Sequence, residues 1–194
     1  LCDRRPERLR QWFCYKVGTA AGELFWTVRQ ETDVPKTLLL MRHAKSSWDE
    51  PQLSDAERPL NSRGRRDAPR MGRVLAPLPD RIVSSPAVRA RTTALLVAEA
   101  AEYTGPIVFD ARIYEAGVPE LVQVTRDQPD ACHRLLLIGH NPGLEAWVSA
   151  FALDTLRFPT AALAELELEL SSWSDLSAST PGRLVRVVRP KELR

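Results

Sequence analysis

Thr37-Leu38-Leu39-Leu40-Met41-Arg42-His43-Ala44-Lys45-Ser46 is the stretch from which the rest of the chain is read. Its uncharged, mostly apolar first half is too short for a buried helix and has the pattern of a strand covered on both faces, as parallel strands are. The run stops abruptly at Arg42, His43 and Lys45, so polar groups fall where such a strand leaves its sheet. Open α/β sheets bind ligands outside the carboxyl ends of their strands. The residues that follow each further strand therefore carry the functional information.

Downstream, short apolar runs alternate with helical patterns. A loop rich in Ser, Asp and Pro runs to Pro59-Leu60, and Asn61 can cap a helix spanning Arg63 to Ala76, with Pro69 predicting a kink. Arg81-Ile82-Val83-Ser84 reads as a second strand. Ser85 as N-cap and Pro86 at the first helical position predict an Ala-rich helix to about Tyr103. Gly105-Pro106 breaks it, and Ile107-Val108-Phe109 is a third strand. A helix from about Pro119 to Asp127, a strand Leu135–Ile138 and a helix from Pro142 to about Leu153 follow. Near the end, Leu163 to Leu170 alternates apolar and acidic residues, and Leu184–Val188 alternates less cleanly. These predict antiparallel strands joined across Trp173 to Gly182. The expected fold is a three-layer α/β/α arrangement with a mostly parallel central sheet and antiparallel strands near the C-terminus.

Each expected strand end delivers polar residues to the same rim. Arg42-His43 follows the first, Ser84-Ser85-Pro86 with Arg89 the second, Tyr114-Glu115 the third, and Gly139-His140-Asn141-Pro142-Gly143 the fourth. Two of the three histidines of the chain stand there with two arginines and a carboxylate. This set suits phosphoryl transfer. A neutral imidazole attacks phosphorus and holds the group as a phosphoramidate, dividing one hard displacement into two easier ones. The charge on the transferred group is then met by guanidinium forks, which grip two oxygens and stay cationic at any working pH. The amide ends of the helices near Pro86 and Pro142 can add to that field.

Arg42-His43-Ala44, Ser85-Pro86-Ala87-Val88-Arg89-Ala90-Arg91-Thr92-Thr93 and Gly139-His140-Asn141, in this order on these elements, resemble the histidine phosphatase superfamily of phosphoglycerate mutase relatives. Within it the chain is most similar to small bacterial phosphohistidine phosphatases of the SixA type, a likeness shared by Arg58-Pro59-Leu60 with Arg63-Gly64. The resemblance covers roughly residues 36–155 and implies a phosphoglycerate mutase-like fold and a metal-independent hydrolase without cofactors. It implies His43 as the phosphorylated nucleophile. Arg42, Ser46, Arg89, His140 and Asn141 would bind the phosphoryl group, and Glu115 would be the acid–base carboxylate. Asp49 stands where mutase-like members have Asn, so it is expected either to hold a nearby Arg or Lys or to be an alternative proton donor. His133 reads as a surface residue, Trp48 and Trp147 as packing groups, and Lys45 as an exposed lysine or a widening of the positive rim.

The implied substrate is phosphohistidine on a protein, because the chain lacks the long insertions that enclose small sugar phosphates in larger relatives. The competing readings are a broad phosphatase of small phosphate monoesters and a non-catalytic module that binds phosphorylated partners through the arginine pair. A lid keeping water from the phosphoenzyme, which a mutase requires, has no counterpart in the sequence.

Composition narrows the remaining classes. At 194 residues and 44% hydrophobic, the chain is long and apolar enough to bury a core without staples. Residues 37–194 hold 20 Lys/Arg and 20 Asp/Glu, a neutral balance that does not suit a nucleic-acid binder. The apolar runs are far shorter than a membrane span, and three cysteines without a Cys-x-x-Cys pair point to a reducing compartment, the cytoplasm. Residues 1–35 are expected to form a separate N-terminal extension, poorly ordered or else a partner-docking or membrane-surface arm, before the domain at 36–194. The extension starts at Leu1 rather than Met, mixes Arg4, Arg5, Arg8 and Arg10 with Trp12-Phe13-Cys14-Tyr15, and has no apolar core of a secretory signal.

Overall fold

The structure, a computed structural model, describes residues 13–18, 24–29, 35–152 and 155–193, in two compact units, Leu1–Val34 and Pro35–Arg194. In the first unit, β1 (Phe13–Gly18) and β2 (Leu24–Arg29) pair antiparallel, in a register from Phe13 opposite Arg29 to Gly18 opposite Leu24. The sequence reading assigned no element here. Both segments are rich in aromatic and β-branched residues, which favour the extended chain, and this is a strand signal that a search for helical period passes over. Trp12 and the four N-terminal arginines lie outside the described residues.

The second unit is built in chain order from β3 (Lys36–Arg42), α1 (Ser62–Gly72), β4 (Arg81–Ser84), α2 (Val88–Ala100), β5 (Ile107–Phe109), α3 (Val118–Arg126), β6 (Arg134–Gly139), α4 (Gly143–Ala152), β7 (Leu163–Leu168) and β8 (Gly182–Val188). The six strands lie in the order β5-β4-β6-β3-β7-β8. The first four are mutually parallel, and β7 and β8 are antiparallel additions at one side. This is the mixed α/β sheet that the alternation of runs predicts.

β3 sits inside the sheet and is covered on both faces. Leu38 and Leu40 pack with Leu121, Leu144 and Trp147 of α3 and α4. Leu39 and Met41 pack on the opposite face with Ala68, Met71, Ala90, Ala94 and Val97 of α1 and α2. All four strand residues are fully buried, each contributing about 1.5–3 kcal/mol of transfer free energy. In β7 the alternation resolves as expected, with Leu166 and Leu168 inside, Glu165 paired to Arg186 of β8 and Arg134 of β6, and Glu167 paired to Arg183 of β8.

Two helix ends differ from their expected positions. α1 begins on its Asn61 cap, whose side chain accepts from the Gly64 amide at 2.9 Å, but stops at Gly72 rather than Ala76. Pro69 therefore lies in its last turn, where there is little helix left to kink. α2 begins at Val88: the chain at Pro86-Ala87 is not yet helical, and the Ser85 hydroxyl accepts from the Ala87 amide at 3.3 Å and lies 2.9 Å from the His140 ring.

The parallel register is what assembles the rim. Arg42 pairs with Gly139 across β3 and β6, so His43 and His140 are the next residues of adjacent strands, and the His43 amide donates to the Gly139 carbonyl at 3.0 Å. Ser84 pairs with Ile138 across β4 and β6, and the Ser85 amide donates to Ile138 at 3.0 Å. Three strand ends thus bring Arg42-His43, Ser85 and His140 together through backbone geometry alone.

Candidate active site

His43 is buried, and its Nδ1 lies 2.7 Å from the carbonyl of Ala44. A carbonyl only accepts, so Nδ1 carries the proton and Nε2 keeps an unprotonated lone pair. Burial, opposed by the Ala44 bond and reinforced by His140, Arg89 and Arg42, lowers the pKa of His43 to about 3. The ring is therefore neutral at neutral pH, which is the state a nitrogen nucleophile requires.

The Nε2 atom faces Arg89. This buried arginine, one residue into α2, donates from Nε to His43 Nε2 at 3.3 Å and places Nη2 3.3 Å from His140 Nδ1. Thr93, one turn on, accepts from the Ala44 amide at 3.0 Å and donates to the Arg89 carbonyl at 2.6 Å, joining the loop of His43 to the helix that carries Arg89. His140 Nε2 is 2.9 Å from Ser85 Oγ, and burial first, then Arg89, lower the His140 pKa to about 4. The two imidazole centroids are 5.0 Å apart, close enough for both rings to touch one tetrahedral anion.

Arg42 donates from Nη1 to the Phe158 carbonyl at 2.9 Å, and its Nε is buried without a partner among the described residues. Asn141 donates to the same carbonyl at 3.0 Å and to Glu145 at 3.1 Å, and Glu145 accepts from the Phe158 amide at 2.8 Å. The donors of Asn141 are thus spent on the loop that fixes Arg42. Ser46 accepts at 2.9 Å from Arg58 Nη2.

Glu115 is exposed, with a left-handed φ of 53°. Among the described residues it makes no hydrogen bond to His43, Arg42, Arg89 or His140. Asp49 is exposed and accepts from the Ser47 hydroxyl at 2.6 Å rather than from an Arg or Lys. His133 is exposed, as read, and Lys45 is half-buried. Trp147 is in the core, but Trp48 is 73% exposed, stacked on Arg58 with the guanidinium carbon 3.1 Å from the ring centroid. It caps a cation rather than filling a core, which corrects its reading as a packing group.

The carboxylate that does reach the pocket is Asp55, on a short 3-10 turn in the loop after β3. Its Oδ2 accepts from Arg89 Nη2 at 2.7 Å and from Tyr114 OH at 2.8 Å, and its Oδ1 accepts from Arg58 Nη1 at 2.9 Å. Its backbone carbonyl accepts from Arg89 Nη1. Burial works against the charge, but the hydrogen bonds from Tyr114, Arg89 and Arg58 outweigh it and lower the pKa to about 2. Asp55 is a functional candidate that the sequence reading did not name, whereas Ser85 and Tyr114 were named there at strand ends and Arg58 in a motif, each without a site role. The signal for Arg58 was the Arg-Pro-Leu motif already noted. Asp55 lies three residues before that arginine with no pattern of its own.

The site therefore combines a neutral imidazole, two guanidinium forks, a second imidazole, and a carboxylate held against one fork. The sequence profile of the histidine phosphatase superfamily (branch 1) matches residues 38–137. An uncharacterized chloroplastic protein of Arabidopsis thaliana is 30% identical over 166 residues, spanning 78% of this chain and 75% of that protein. Among solved structures, a candidate phosphohistidine phosphatase SixA of Nakamurella multipartitia is similar at 26% identity and a TM-score of 0.70, covering 80% of this chain and 96% of that one. Its counterpart from Agrobacterium tumefaciens is 29% identical with a TM-score of 0.67, covering 80% and 99%. The protein histidine phosphatase SixA in complex with tungstate shares the fold at 21% identity and a TM-score of 0.65, covering 81% and 99%.

Proposed function

We infer, for a chain that belongs to the histidine phosphatase superfamily (branch 1) and is a phosphatase, that its reaction runs through a phosphohistidine at His43. The observation that carries this reading is the neutral His43 ring, whose unprotonated Nε2 accepts from Arg89, with the His140 ring 5.0 Å away. In the first step Nε2 forms a bond to phosphorus as the bond to the leaving group breaks. Arg42, Arg89 and His140 hold the oxygens, and Ser46 and Asn141 keep the surrounding loops in place. In the second step water attacks the phosphohistidine, phosphate departs, and Nε2 regains its lone pair.

The leaving group requires a proton, and water must lose one. Glu115, implied by the family resemblance, is at the exposed edge, whereas Asp55 is already bonded to Arg89. When phosphoryl oxygens take over Arg89, Asp55 loses its strongest cationic partner and faces an anion. Both changes raise its pKa. We assign it the proton given to the leaving group and recovered from water. Charge neutralisation by the two guanidiniums supports a metal-independent reaction.

The substrate class supported by the similarity to SixA proteins is phosphohistidine on a protein, and a cytoplasmic setting suits Cys132, a buried free thiol. Among the described residues no helix is long and apolar enough to cross a membrane. The test is rapid-quench trapping of labelled phosphate, run in parallel on a phosphohistidine peptide and a panel of sugar phosphates. His43→Ala is expected to abolish both turnover and trapping. Trapping that survives the substitution refutes the nucleophile. Faster turnover of the sugar phosphates refutes the substrate class but not the chemistry. Phosphate-dependent binding without hydrolysis refutes both.

A further inference from the structure

The strongest charge feature outside the pocket is on α1. Arg63, Arg66, Arg70 and Arg73 follow one another at i, i+3, i+7 and i+10. At about 100° per residue this spacing confines them to an arc of about 80° on one helix face, along about 15 Å of axis. Arg63 and Arg66 are 42% and 67% exposed and Arg70 is 29% exposed, while Arg73 is exposed at the C-cap.

The row is only partly neutralised. Asp67, buried on the same helix, is shared by Arg63 at 3.2 Å and by Arg66 and Arg70 at 3.8 Å each. Glu192 lines the hollow beside the row, and its charge is paired with a cation outside the row, Arg189, whose backbone amide and guanidinium lie 2.9 and 3.0 Å from its oxygens. Three of the four cations thus share one carboxylate, at a spacing where like charges repel. The face is also concave. Arg66, Arg70 and Arg73 line a hollow of ≈ 620 Å³ with Pro69, Val74 and Leu193 as its apolar part. Arg70 is held in it by the carbonyl of Leu193.

We propose that this face is a docking surface for an acidic helical segment of another protein. The rises between successive arginines are about 4.5, 6 and 4.5 Å. Carboxylates at i, i+3 or i+4, and i+7 on a partner helix repeat at the same intervals. The apolar floor of Pro69, Val74 and Leu193 suits one aliphatic side chain among those carboxylates. A phosphodiester backbone has no group for such a floor, and the neutral balance of residues 37–194 does not favour a nucleic acid. The proposal uses no residue of the phosphatase pocket and is independent of the reaction assigned to it.

The test is fluorescence anisotropy of the full chain with a labelled acidic peptide of about 12 residues, with Glu at i, i+4 and i+7 and a single Leu between them. Binding is expected to weaken at least ~10-fold between about 50 and 200 mM salt, as contacts with several charges require. The Arg66→Glu/Arg73→Glu double variant is expected to weaken it at least ~10-fold at low salt, and replacing the Leu by Ser a few-fold. Turnover of p-nitrophenyl phosphate stays unchanged in the variant, which reports that the fold is intact. Three results overturn the proposal: no binding at low salt, binding indifferent to the double substitution, or tighter binding of single-stranded DNA of equal charge.

Discussion

Asp55→Asn separates the parts that Asp55 plays. In the free protein its carboxylate accepts from Arg89 at 2.7 Å, Tyr114 at 2.8 Å and Arg58 at 2.9 Å, and its pKa falls from 3.8 to about 2. Such a fall is worth roughly 2.5 kcal/mol in favour of the charged form. The side chain is 44% exposed, however, and solvent screening reduces the contribution to about 1 kcal/mol. It is present above the ordinary carboxylate range and is lost as pH falls towards 2. The variant should therefore unfold about 1 kcal/mol more easily at pH 7, a small fraction of a typical domain's stability.

Its effects on binding and catalysis run in opposite directions. Losing the charge frees Arg89 from a competing anion, so tungstate or inorganic phosphate should bind about tenfold more tightly, the worth of one charge-assisted hydrogen bond. Losing the proton donor should slow an alkyl phosphate ester by about 10²–10⁴-fold. An ester whose leaving group departs as a stable anion, such as p-nitrophenyl phosphate, should lose less than about tenfold. Isothermal titration and steady-state kinetics on the two esters measure these quantities. Equal losses on both esters, or weaker oxyanion binding, would refute the reasoning, since Asp55 would then be only a structural partner of Arg89.

Three further outcomes follow from the same geometry. His43 and His140 are held neutral down to about 3 and 4, whereas the unfolded chain protonates near 6.5. The unfolded state thus binds more protons in that window, and stability should be full above about pH 6.5 and fall by several kcal/mol towards pH 4. Urea unfolding across that range checks it, and a His43→Gln/His140→Gln chain should flatten the slope. Gly64→Ala would put a methyl 2.2 Å from the Lys45 carbonyl oxygen, so it should cost about 3 kcal/mol of overpacking and reduce kcat by displacing the loop after His43. Arg134 and Glu165, 11% and 12% exposed and 2.7 Å apart, form a buried pair joined by Arg186. Glu165→Ala should cost about 3–5 kcal/mol, and Arg134→Met/Glu165→Leu should recover most of that loss.

The framework of the site was legible because strands report their own surroundings. Leu38 to Met41 is apolar without interruption, which only a strand covered on both faces requires, and parallel register then places every polar strand end on one edge. His43 and His140 followed from that rule, and Arg89 from its place one turn into the helix expected after Ser85-Pro86, although α2 itself begins at Val88. The helix ends were less legible. α1 stops where Gly72 approaches the Val97 carbonyl, a contact between two helices that no local pattern encodes. Trp48 was misread for a similar reason, since the partner it covers is a cation ten residues away.

Asp55 was hidden because its role is defined by residues 34 and 59 positions further along, Arg89 and Tyr114. This has a consequence for the chemistry. Read in the sequence, Arg89 is a vacant clamp waiting for phosphate. In the fold its donors are already taken by His43, Asp55 and His140. Substrate binding is then an exchange of acceptors, and affinity depends on how much better a phosphoryl group suits the fork than a carboxylate does. Phosphate carries the greater charge and offers oxygens to both arginines at once, so the exchange favours the substrate. A singly charged sulfate ester of the same shape gains far less from it. Discrimination between the two oxyanions therefore lies in Asp55 as much as in the arginines.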